Sequence, residues 1–80
     1  MIGQDEALQW IAEIFEEPPD LVRPDTPQEE ILGWDSLGVL SLIAGFDERF
    51  EITLSETDIA EFQKVDDILD LLRKHGKLEE

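Results

Sequence analysis

The sequence predicts an all-α fold, a four-helix bundle of three longer helices and one short one, with a long loop between the first and second. Three observations predict it. Apolar residues recur at helical spacing in separate stretches, prolines and capping residues bound those stretches, and no segment alternates for long enough to build a sheet. The chain of 80 residues makes one domain, residues 1–80, and its 26 Leu, Ile, Val and Phe residues are enough for a single core.

The first helix is expected over residues 4–17. At about 100° per residue, Ala7, Leu8, Ile11, Ile14 and Phe15 share a sector, and Asp5, Glu6, Gln9, Glu13 and Glu16 lie opposite. Pro18-Pro19 ends it, because proline lacks the N–H of the helix ladder and disfavours helical geometry in the residue before it. From Asp20 to Asp35 the periodicity breaks around Pro24 and Pro27, giving a long ordered loop with one helical turn near Gln28 to Leu32.

Asp35 or Ser36 then caps a second helix over 36–50, whose inward stripe is Val39, Leu42, Ile43, Phe46 and Phe50. Leu37, Leu40 and Ala44 project from the other side, so this helix carries more apolar surface than one core face needs. Ile52-Thr53-Leu54 is an extended link. Ser55-Glu56-Thr57-Asp58 fits a capping box opening a short helix over 56–62, which buries Ile59 and Phe62. The last helix, 65–75, places Val65, Ile68, Leu69 and Leu72 together. Asp66 and Asp67 open it, Arg73, Lys74 and His75 close it, and Gly76 follows, in keeping with the helix dipole and a C-terminal glycine.

Composition excludes several chemistries. There is no cysteine, hence no disulfide and no thiolate metal site, and a single histidine excludes a His-rich zinc site. The net charge of −15 repels nucleic acid and anionic membranes and favours basic protein partners. No apolar run reaches the roughly 18 residues of a membrane span, and the start MIGQDEAL is unlike a signal peptide, so a cytoplasmic protein without membrane insertion is expected.

No catalytic constellation is present. Gly33-Trp34-Asp35-Ser36-Leu37-Gly38 departs from a nucleophile elbow, because tryptophan stands where the elbow has glycine and no sheet is predicted to carry it. A calcium loop starting at Asp47 fails, with Arg49 and Ile52 in place of the required oxygen ligand and glycine. His75 suits dipole pairing at a helix end, and Glu16-Glu17, Glu29-Glu30 and Asp66-Asp67 are adjacent acids that face different ways. The chain is read as a non-enzyme without a metal site. Ser36 remains, either as a simple cap or as a hydroxyl set where helix N–H groups and the dipole favour a phosphate ester.

The surroundings of that serine carry a resemblance. Leu32-Gly33-Trp34-Asp35-Ser36-Leu37, an apolar-rich helix, Phe50-Glu51-Ile52-Thr53-Leu54-Ser55, a short helix and a closing helix around Val65 to Leu72 together resemble the acyl carrier protein family over nearly the whole chain. The resemblance implies a bundle of the acyl-carrier type with a 4′-phosphopantetheine arm from coenzyme A on Ser36. Asp35 would orient the serine and the transferase's magnesium. The arm would hold acyl groups as thioesters for enzymes of fatty-acid, polyketide or related lipid biosynthesis. A phosphopantetheinyl transferase and acyl-transferring, condensing or ligating enzymes with basic docking surfaces are the implied partners of a monomer. Leu37, Leu40 and Ala44, bordered by Asp47 and Glu48, form the expected docking surface, and Leu42, Phe46, Leu54, Ile59, Phe62 and Leu69 the expected acyl pocket, which bulky Phe46 and Phe62 would shorten.

Many fatty-acid carriers have acids where this chain has Gly38 and Ser41, and a small residue in place of Trp34, which points to a specialised carrier. Two other readings stay open: a peptidyl or aminoacyl carrier, D-alanyl included, and an acidic helical adaptor in which Ser36 is only a cap.

Overall fold

The computed structural model describes residues 2–79. Four α-helices form the body: α1 (Gln4–Ile14), α2 (Ser36–Phe50), α3 (Glu56–Glu61) and α4 (Val65–Lys74). Two-residue strands β1 (Ile2–Gly3) and β2 (Leu78–Glu79) pair in parallel with Ile2 opposite Leu78 and Gly3 opposite Glu79. This terminal clasp was not expected from the sequence. Buried Leu78 anchors it to the core, and the Ile2 N–H donates to the Lys77 carbonyl at 3.0 Å.

Helix α1 stops three residues short of the expected Glu17, and the cause is a left-handed cap rather than the prolines. Glu16 takes φ 55°, its N–H donates to the Glu13 carbonyl at 3.1 Å, and that of Glu17 donates to the Ala12 carbonyl at 2.9 Å. This bond pattern terminates helices and usually has glycine at the left-handed position. Helix α4 ends the same way. Gly76 at φ 67° donates to Arg73 at 3.0 Å, and Lys77 donates to Leu72 at 2.8 Å, which leaves His75 as the cap one residue earlier than expected. Phe62 likewise caps α3 rather than extending it.

The core joins Ala7, Ile11 and Phe15 of α1 to Leu42, Phe46 and Phe50 of α2 and to Val65, Ile68, Leu69 and Leu72 of α4. Trp10 and Ala12 are also buried, so the inward face of α1 is wider than the expected stripe, and Leu8 and Ile14 sit at its edge. Trp10 meets Phe46 and Phe50 edge-to-face, with centroids 5.4 and 5.1 Å apart, the arrangement that the ring quadrupoles favour. Arg49 lies over Trp10 and Phe50 and pairs with Glu6, tying α2 to α1. Two buried glycines of α2 admit α1 closely. A Cβ on Gly45 would lie 2.8 Å from Ile14 Cδ1, and one on Gly38 3.0 Å from Phe15 Cδ1.

The long loop is ordered by its backbone bonds. Two short 3-10 turns, Pro19–Leu21 and Gln28–Glu30, lie along it, the second at the expected helical turn. Buried Thr26 uses its hydroxyl twice, accepting from the Arg23 N–H and donating to the Leu21 carbonyl. The loop also caps α4: the Val65 and Asp66 N–H groups donate to the Thr26 and Pro24 carbonyls at 3.0 and 2.8 Å. These donors open a helix and have no partner within it, so the loop supplies what the helix lacks. A bridge between Pro27 and Lys64 continues the attachment.

Candidate functional site

The site is built where the loop turns into α2. Buried Trp34 stacks on Phe15, with centroids 5.1 Å apart and planes at 15°, and the Glu17 carboxylate accepts from the Gly33 N–H at 3.0 Å. Gly33 is pressed so close to α1 that a Cβ there would lie 1.8 Å from the Phe15 carbonyl oxygen. The Leu32-Gly33-Trp34 turn is thereby seated on the end of α1, and Asp35 and Ser36 follow from a fixed platform.

Asp35 is the cap of α2: its Oδ1 accepts from the Gly38 N–H at 2.9 Å, and its carbonyl accepts from Val39 at 2.9 Å. Ser36 is the first residue of the helix, which settles the choice left open by the sequence and removes the reading of Ser36 as the cap. Of the N–H groups that open α2, that of Gly38 is taken by Asp35. Those of Ser36 and Leu37 bond to no described residue. Ser36 is exposed and lines a groove of about 590 Å³ with Gln28, Asp35, Val39 and Leu40. An exposed hydroxyl, unpaired helix N–H groups and an open groove fit a phosphate ester with a long substituent.

The expected docking residues share the outer face of α2. Leu37 is 74% exposed and Leu40 62%, and Ala44, Asp47 and Glu48 are exposed beyond them. Leu32, 88% exposed on the turn before the serine, extends this apolar surface and was not singled out from the sequence. Its alternation with buried Ile31 was the available signal. From Ser36 to Phe46 the chain carries no charge, so along α2 the acids of this face stand at the far end from the serine.

The six residues expected to line an acyl pocket belong to the one hydrophobic core. Leu42, Phe46 and Leu69 are wholly enclosed, Leu54 and Phe62 are buried, and Ile59 packs at the edge of the same cluster. Phe62 also lines a groove of about 290 Å³ between α3 and α4. Among the described residues no three potential metal ligands gather, and no helix is long and apolar enough to cross a membrane. His75 stands exposed at the end of α4, with Ser36 at the start of α2.

Comparison with known proteins agrees with this geometry. The family model described as the phosphopantetheine attachment site matches residues 5–72. The acyl carrier protein of Campylobacter curvus is 27% identical over 73 residues, covering 91% of this chain and 95% of that protein. That of Campylobacter jejuni subsp. doylei is 29% identical over 68 residues, covering 85% and 88%. That of Bdellovibrio bacteriovorus is 30% identical over 59 residues, covering 74% and 76%. No solved structure matches. With most of its length matched, and with a helix start suited to a phosphate ester, the chain belongs to the acyl carrier protein family, whose members are carriers of a covalent 4′-phosphopantetheine rather than enzymes.

Proposed function

We propose that Ser36 is the attachment point, and that this chain carries acyl thioesters between partner enzymes of fatty-acid, polyketide or related lipid biosynthesis. The observation that carries the reading is the division of labour at the start of α2. Asp35 takes the capping role, so the Ser36 hydroxyl is released from it and stands exposed beside the N–H groups of Ser36 and Leu37. When bound, the arm supplies the thiol on which the acyl group is held.

The chain's own residues present, orient and shield. Asp35 fixes the first turn through Oδ1, and its Oδ2, bonded to no described residue, is available to the magnesium of the transferase. In loading, the serine Oγ–P bond would form as the pyrophosphate P–O bond of coenzyme A breaks, adenosine 3′,5′-bisphosphate would leave with the bridging oxygen, and the serine proton would pass to a base of the transferase. Leu37, Leu40 and Ala44 meet the partner enzyme, and Asp47 and Glu48 attract its basic rim. Leu42, Phe46, Leu54, Ile59, Phe62 and Leu69 receive the acyl chain by parting at α3, and the rings of Phe46 and Phe62 restrict it to short chains.

The test is loading. The purified chain, incubated with coenzyme A, magnesium and a broad-specificity phosphopantetheinyl transferase, gains the mass of one arm; no gain removes the reading. Asp47→Lys and Glu48→Lys reduce the loading rate while leaving the helical circular dichroism spectrum intact, and unchanged kinetics place docking elsewhere.

A further inference from the structure

We propose that the groove beside Ser36 is a seat for the arm itself, with Gln28 as the residue that positions it. The proposal rests on the reading of Ser36 as the attachment point and adds a binding subsite to it. Gln28 belongs to the loop, yet it is held firmly across from α2. Its N–H donates to the Gln63 carbonyl at 2.9 Å, its carbonyl accepts from Ile31 at 3.0 Å, and the neighbouring Pro27 bridges to Lys64. With the backbone fixed at both ends, the exposed side-chain amide bonds to no described residue, although it lines the groove. A glutamine amide offers both N–H donors and a carbonyl acceptor, the complement of a secondary amide.

The other walls suit what lies between a phosphate and an amide in pantetheine. The ester leaves Ser36 at the helix N-terminus, where N–H groups remain for the phosphate. The next part of the arm is a carbon bearing two methyl groups, and half-buried Val39 and exposed Leu40 provide apolar surface for it. The following amide meets Gln28. Among the described residues Asp35 is the only charged one lining the groove, which suits the neutral middle of the arm. Seating here keeps the thiol end at the surface between deliveries, outside the enclosed Leu42, Phe46 and Leu69.

The experiment is nuclear magnetic resonance on the fully loaded chain, with loading established by intact mass. Cross-peaks are expected from the geminal methyl groups of the arm to the Val39 and Leu40 methyls, and from an arm amide proton to the Gln28 side chain. In fully loaded Gln28→Ala the arm amide resonance moves toward its position in free pantetheine and the cross-peaks to Val39 and Leu40 weaken, while the backbone spectrum away from the groove is unchanged. A loaded wild-type chain whose arm resonances coincide with those of free pantetheine overturns this proposal alone. Cross-peaks from the geminal methyls to Leu42 or Leu69 in place of Val39 and Leu40 also overturn it. Absence of any mass gain removes the Ser36 reading and this proposal with it.

Discussion

Replacing Gly38 with alanine should destabilise the protein, the reverse of what helix propensity predicts. Alanine is favoured over glycine in a helix by about 1 kcal/mol, and Gly38 lies inside α2. An added Cβ, however, would stand 2.0 Å from the Gly33 carbonyl oxygen, where ordinary contact begins at 3.4 Å, and 3.0 Å from the Phe15 ring. The carbonyl has nowhere easy to go, because a Cβ's width is already missing between Gly33 and the Phe15 backbone on its other side. Overpacking of this kind costs about 1–3 kcal/mol, which outweighs the propensity gain in most of that range. The net loss of up to about 2 kcal/mol lowers Tm by up to about 15 °C in a domain of this size. Differential scanning calorimetry of Gly38→Ala against wild type measures it. Because the Gly33 carbonyl leads into Trp34 and Asp35, loading of Ser36 should slow as well. A Tm equal to or above that of wild type would refute the close approach of loop and helix, and with it the platform on which the serine is set.

Three further outcomes follow from the packing and the charges. Removing the clasp with Leu78→Ala exposes a core position and should cost about 2–3 kcal/mol in urea unfolding; a change within error would show that the terminal pair is not part of the cooperative unit. Asp58 is held below its ordinary value of 3.8, first by the Ser55 backbone N–H that donates to its carboxylate at 3.0 Å. A depressed carboxylate stabilises the fold above the unfolded value and loses that contribution as pH falls through the folded one. The stability difference between wild type and Asp58→Asn should therefore hold at neutral pH and shrink below about pH 3.8, and a difference independent of pH would contradict the capping box. Finally, the net charge of −15 repels itself in the folded state, and screening is strong beyond about 10 Å at 0.1 M salt. Tm should rise with sodium chloride; a flat response would mean that the acids are already compensated.

Periodicity located α1, α2 and α4, each of which buries a stripe at helical spacing, although Val39 and Ile43 of the expected α2 stripe are only half-buried. The Ser55–Asp58 capping box located α3, which buries none of its own residues. What was hidden lies in interactions that leave no periodic trace. The left-handed Glu16 ends α1 without the glycine that announces the same cap at Gly76. The terminal clasp is two residues of backbone pairing, too short to alternate. Capping of α4 by the Pro24 and Thr26 carbonyls depends on backbone groups that every sequence carries. At the site, Asp35 and Ser36 are adjacent capping types, and only the Asp35 to Gly38 bond decides between them. Gly38 looked like a missing acid of the docking helix. In the structure it is the one residue small enough to lie beneath the Gly33 carbonyl. Trp34, conspicuous by its size, finds its space by stacking on Phe15.

The central claim is that one particular hydroxyl, that of Ser36, is presented for modification, and the chain has only two other serines with which to confuse it, Ser41 and Ser55. Peptide mass mapping of the transferase-treated protein tests this directly. The account predicts the arm on the peptide segment containing Ser36 and no gain in Ser36→Ala. An arm found on Ser41 or Ser55, or a gain that survives Ser36→Ala, would contradict it.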